Sequence, residues 1–157
     1  ISHGEVEIRY AGKDSDVWQR LVDKHGLDAI FYDEGLVSRQ RALELQRKSH
    51  VNLLLTYSSN ELKGNVTGKI FEYMRAMRPI FVLINGPEDV ELEAIMQEIP
   101  GGVFYKNDKE KLKSSLRRMI RAQRDGEFQN RDMHDAVRPF LWENAIVGFA
   151  RHIEIEN

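Results

Sequence analysis

Cysteine is absent from the 157 residues. Its absence excludes disulfides, cysteine-based zinc sites and a thiol nucleophile, and it fits a reducing compartment. Long apolar runs are also missing. The longest, Val51 to Leu55 and Pro79 to Ile84, fall far short of the about 20 residues that span a bilayer. Neither charge dominates: 23 Lys and Arg face 25 Asp and Glu, a formal charge of -2. That balance gives no blanket electrostatic case for nucleic acid or a membrane surface. The opening Ile1-Ser2-His3-Gly4-Glu5 is too polar for a signal peptide. Because it starts without Met, a fragment or processed product of a longer chain is expected. There is no internal repeat and no low-complexity segment. With 41% hydrophobic and 31% charged residues, the chain can bury a core, so disorder, collagen and coiled coil are poor fits.

What is present is an alternation of short apolar runs and amphipathic stretches. Candidate strands are Val6–Gly12, Ala29–Tyr32, Val51–Tyr57, Pro79–Ile84 and Gly102–Tyr105. The third and fourth are continuous apolar runs, the pattern of strands buried on both faces in a parallel sheet. Helices are predicted between them. Asp16–His25 carries Val17, Trp18, Leu21 and Val22 and stops at Gly26. Ser38–Ser49 buries Ala42, Leu43 and Leu45. Val66–Met77 repeats Val66, Ile70, Met74 and Met77 at helical spacing and ends before Pro79. A turn at Asn85-Gly86-Pro87 precedes a helix over Glu88–Glu98, and Lys109–Arg124 carries Leu112, Leu116, Met119 and Ile120. The alternation predicts an α/β, Rossmann-like, doubly wound parallel sheet of about five strands over residues 1–125. Residues 126–157 are expected to form a C-terminal helical extension, with a last helix over Pro139–Ile155.

The most informative stretch is Gly64-Asn65-Val66-Thr67-Gly68-Lys69-Ile70-Phe71-Glu72-Tyr73. It follows an apolar strand through a polar loop and opens a helix. Ligands of open α/β sheets bind at the carboxyl ends of strands, and a helix N-terminus there suits phosphate. Gly64 and Gly68 clear space for a close approach, and Lys69 adds positive charge. Glu72, one turn in, could accept both hydroxyls of a ribose diol. The competing reading is a surface pair with Lys69 or Arg75 at three-residue spacing. A P-loop is rejected, since only three residues separate Gly64 from Gly68 and Ile70 stands where Ser or Thr should bind magnesium.

Thr67-Gly68-Lys69-Ile70-Phe71-Glu72-Tyr73, followed by Arg78-Pro79-Ile80, resembles the nucleotide-binding helix of GT-B glycosyltransferases, most closely the bacterial retaining enzymes of family 4. The run from Arg41 to Leu55 is similar to the segment that precedes that loop in the family, and Gly35-Leu36-Val37-Ser38 is similar to its short loop after the preceding strand. The resemblance covers roughly Val6 to Leu116. It implies a domain that binds a nucleotide diphosphate sugar donor, with Glu72 on the ribose, Thr67 and Gly68 near the diphosphate, and backbone around Gly35, Leu36 and Val37 beside the base. It implies a missing N-terminal domain for the acceptor, a polysaccharide or lipid-linked glycan, and a first strand lying before Val6. No cofactor or metal is implied beyond the donor. The parent enzyme is expected in the cytoplasm, with a peripheral contact to the inner face of the membrane within its range. In many relatives an additional acid stands eight positions before the ribose glutamate. Here that position is Gly64, so no catalytic residue is assigned: either Glu61 reaches the sugar from a longer loop or backbone groups take the role. A sugar-nucleotide epimerase of the same architecture and a non-catalytic α/β binding module remain alternatives. The fragment alone is expected to be inactive.

Other features have plainer readings. Asp14-Ser15-Asp16 has the form of a GT-A metal motif but precedes a helix, where such residues are ordinary caps. The histidines His3, His25, His50, His134 and His152 show no ligand spacing. Asn65-Val66-Thr67 is a coincidental sequon. The basic side chains of Lys109–Arg124 read as a solvated outer face, with an anionic-lipid contact as the alternative.

Overall fold

The computed structural model describes residues 5–59, 61, 67–126 and 131–140. The chain divides into two compact units, Ile1–Leu45 and Gln46–Asn157. Both are built from parallel strands joined through helices, so the α/β class expected from the alternation is what the chain adopts.

In the first unit, β1 (Ile8–Tyr10) and β2 (Phe31–Asp33) pair in parallel, Ile8 opposite Phe31 and Tyr10 opposite Asp33. Between them runs α1 (Ser15–His25). Its Trp18 packs on both strands, with ring centroids 5.2 Å from Tyr10 and 6.4 Å from Phe31. The helix stops where the sequence predicts. Gly26 takes a left-handed φ of 62°, and the Leu27 N–H reaches back to the Val22 carbonyl. Asp14 occupies the N-cap position, but its side chain caps nothing, and Asp16 pairs with Arg20 at 3.0 Å. The start of α2 (Arg39–Lys48) completes this unit, and its last turn opens the second.

The second unit holds β3 (Asn52–Tyr57), α3 (Gly68–Arg75), β4 (Ile80–Asn85), α4 (Val90–Met96), β5 (Gly101–Tyr105), α5 (Lys109–Arg124) and α6 (Arg131–Val137). The three strands form a parallel sheet in the order β3-β4-β5. Central β4 is buried on both faces: Ile80, Val82 and Ile84 enter the main core with Ile70, Met74 and Leu92, while Phe81 meets Phe104 at 5.1 Å on the other side. Two glycines are dictated by backbone crowding. A Cβ on Gly86 would stand 2.1 Å from the Ser58 carbonyl oxygen, and one on Gly101 would stand 1.9 Å from that of Ile80.

Three observations depart from the sequence reading or refine it. The five expected strands are all present, but they fall into sheets of two and three. The apolar run of β3 is buried on one face only: Leu54 is in the core, whereas Leu53, Leu55 and Tyr57 are 46%, 51% and 55% exposed. The difference follows from position, because β3 is at the edge of its sheet and β4 is at the centre. Finally, α6 lies in the C-terminal stretch expected to be helical, but ahead of the helix expected over Pro139–Ile155. Met133 and Val137 are fully buried in the core of the second unit, with Ala136 and Phe140 packed against it. A 3₁₀ turn over Arg138–Phe140 follows and contains Pro139. The remainder of the expected Pro139–Ile155 helix lies outside the described residues. No helix among the described residues is long and apolar enough to cross a membrane.

Candidate functional site

β3 and β4 end side by side, and Ser58 joins them. Its N–H donates to the Asn85 carbonyl at 3.4 Å and its hydroxyl to the Pro87 carbonyl at 2.5 Å. Helix α3 is the next described element after β3. Between the two, Glu61 is described and is exposed, while Gly64 lies outside the described residues. Helix α3 begins at Gly68 because Thr67 is still extended (φ -70°, ψ 146°). Its apolar face, Ile70 and Met74, is buried against the sheet, which turns the opposite face outward.

The opening turn of α3 concentrates polar groups. An N-cap threonine ordinarily accepts from the next N–H groups, but the Thr67 hydroxyl makes no such bond. Its Oγ1 is buried and has no hydrogen-bond partner. The first N–H groups of any helix have no preceding carbonyl to satisfy them and carry partial positive charge. Beside them, among the described residues and apart from its chain neighbours and the helix's own backbone, no atom lies within 4 Å of where a Gly68 Cβ would stand.

Glu72 is the centre of charge. Its Oε1 accepts from Lys69 Nζ at 2.9 Å and from Gln46 Nε2 at 2.5 Å, and its side chain stays 29% exposed. The pair with Lys69 is the surface reading anticipated for this spacing, whereas the bond to Gln46 was not anticipated. Gln46 is 8% exposed and its Oε1 has no partner. A signal for it existed in the sequence, since a glutamine follows Ala42, Leu43 and Leu45 on the apolar stripe of α2. Lys69 also lies over the Tyr73 ring, 5.5 Å from its centroid. Burial pushes the Tyr73 phenol above its ordinary pKa, so it stays protonated and neutral around physiological pH.

Gly35, Leu36 and Val37 belong to the first unit, in the loop after β2. Gly35 has a left-handed φ of 64° and donates its N–H to Asp33 Oδ1 at 2.8 Å. Leu36 is 75% exposed and Val37 is half-buried. Next to them, Glu34 is held by Arg41 and Arg9 at 2.9 and 2.7 Å, and these two guanidiniums draw its carboxyl below the usual carboxylate range. Thr67, Gly68, Lys69 and Glu72 thus gather on one turn of the second unit, and the Gly35–Val37 backbone turns over in the first.

Two concave surfaces among the described residues contain none of these residues. One, of about 510 Å³, lies along α5 among Ser114, Arg117, Arg118, Arg121, Ala122 and Asp125. Another lies between α4 and β5, bordered by Glu93, Gln97 and Lys111. Among the described residues, no three His, Asp or Glu side chains are grouped to hold a metal ion. Comparison with protein-family models, with characterised proteins and with solved structures returns no match.

Proposed function

We propose that the chain is the donor-binding half of a GT-B glycosyltransferase of the family 4 type. In this reading the parallel α/β architecture is that of a Rossmann-like nucleotide-sugar domain, and a second domain supplies the acceptor. The nucleotide diphosphate sugar sits at the opening turn of α3. Glu72 takes the ribose diol, Thr67 and Gly68 lie near the diphosphate, and the Lys69 ammonium adds positive charge there. Glu61 is the candidate to reach the sugar. The chemistry asked of this half is electrostatic. As the glycosyl bond breaks, negative charge grows on the departing diphosphate, and fixed N–H dipoles and a cation stabilise it without a metal.

The observation that carries the reading is the opening turn of α3: a buried threonine hydroxyl without a partner, a glycine with open space beside it among the described residues, and a partly exposed carboxylate that accepts from Lys69 and Gln46. A surface helix whose charges served solubility alone would leave no buried hydroxyl unsatisfied, because such a group costs about 1–3 kcal/mol.

Calorimetric titration with uridine, guanosine and adenosine diphosphates tests it. At least one is expected to bind, and Glu72→Ala is expected to weaken that binding by about 1–3 kcal/mol, the range for a charge-assisted hydrogen bond. An unchanged affinity removes Glu72 from the site, and no binding by any of the three overturns the reading. Because the acceptor belongs to the second domain, the chain alone is expected to transfer no sugar.

A further inference from the structure

We infer that Gln46 is the positioning residue for Glu72, fixing its carboxylate for a ribose and so setting discrimination between ribo- and deoxyribonucleotides. The inference rests on the proposed donor site and deepens it.

Lys69 and Gln46, which both donate to Glu72 Oε1, differ in kind. Lys69 carries a flexible ammonium with a side chain 47% exposed, and its charge is also the one a diphosphate would attract. Gln46 is buried, and the turn that carries it is pinned from three directions. The Ser49 hydroxyl donates to the Gln46 carbonyl at 2.8 Å, Asn52 Nδ2 donates to the same carbonyl at 3.4 Å, and Arg78 Nε donates to the Arg47 carbonyl at 2.7 Å. These bonds satisfy carbonyls that the end of α2 leaves open. They tie the turn to β3 through Asn52 and to the exit of α3 through Arg78. The backbone that carries the carboxamide is therefore tied to both elements that frame the site.

The orientation of the amide follows from its partner. A carboxylate only accepts, so Nε2 must face Glu72, and Oε1 is left buried and unsatisfied. For packing alone, leucine or methionine would fill this position without an orphaned oxygen. A glutamine here is accounted for by what its donor does to Glu72. When a diphosphate engages Lys69, Gln46 remains to hold the carboxylate in the rotamer that meets the diol.

The test uses the full chain and whichever of uridine, guanosine or adenosine diphosphate binds it most tightly, beside its 2′-deoxy counterpart. Gln46→Met keeps volume and burial while removing both amide groups, with Gln46→Leu as a second variant should the first fail to fold. The expected result is a loss of about tenfold in affinity for the ribonucleotide, with affinity for the deoxynucleotide nearly unchanged and thermal stability at or above that of the parent. A purely structural glutamine would lower stability and move both affinities together, and that outcome overturns the inference. Wild-type discrimination persisting in Gln46→Met, while Glu72→Ala abolishes it, sinks the role of Gln46 and leaves the donor site standing. No discrimination in the parent chain, or none lost in Glu72→Ala, overturns both.

Discussion

Glu34 accepts from Arg9 Nη1 and Arg41 Nη2, and Arg41 also pairs with Glu44 at 3.2 Å. The arrangement makes one carboxylate the meeting point of β1, the loop after β2 and α2. Its lowered pKa fixes the sign of its effect on stability. A carboxyl that is more acidic folded than unfolded stabilises the fold above its ordinary pKa, and that contribution is lost as pH falls through the lowered value. Acidification should therefore loosen the β1–β2 pair first. Hydrogen exchange of the Ile8 and Glu34 amides, which donate to the Ile30 and Tyr10 carbonyls, should speed up as pH drops below the usual glutamate range, after correction for intrinsic exchange. Glu34→Gln should flatten that dependence, and an unchanged profile in the variant would show that the two guanidiniums do not set it.

At the scale of elements, α6 is the informative case. It is seven residues long, too short to hold as a helix in isolation, and it exists because its apolar side is taken up by the core beside Ile70 and Met74. Met133 is 1% exposed and Val137 is 0%. Met133→Ala is expected to cost about 2–5 kcal/mol, the range for emptying a fully buried site, read as a lower urea midpoint with an unchanged slope. A cost near zero would mean that the core closes without α6. Helix α4 is anchored differently, through polar groups. Asp89 accepts from the Leu92 N–H at 3.1 Å, and the Tyr105 hydroxyl from β5 accepts from the Asp89 N–H and donates to Glu93 Oε1 at 2.6 Å. Burial, then the bond to Glu93, pushes that phenol up to about 12, so this anchor holds below the ordinary tyrosine range and is lost only as pH rises toward the raised value.

For the whole molecule, the proposed site makes stability depend on ligand. A nucleoside diphosphate that binds only the folded chain adds about 2.7 kcal/mol at a concentration a hundred times its Kd. The melting temperature should climb with the logarithm of nucleotide concentration, and Glu72→Ala should shift that rise to higher concentration. A melting temperature indifferent to every nucleoside diphosphate would contradict the donor-site reading independently of calorimetry.

The order of strands and helices was legible in the sequence because periodicity is a property of neighbouring residues. The stripe of Leu112, Met119 and Ile120 reads as a helix, and Gly26 and Pro79 mark ends that the structure keeps. The cluster Thr67, Gly68, Lys69 and Glu72 was legible for the same reason, since it lies within one turn and a half. Helix α6 was encoded too, in Met133, Ala136, Val137 and Phe140 at helical spacing, but its few apolar residues sit among polar ones and are distinguished only by what they pack against. Tertiary structure alone decided which strands share a sheet, which face of β3 is covered, and that Gln46 meets Glu72 across 26 positions of chain. Local spacing is written in consecutive residues; burial and long-range pairing arise only when distant segments compete for the same core.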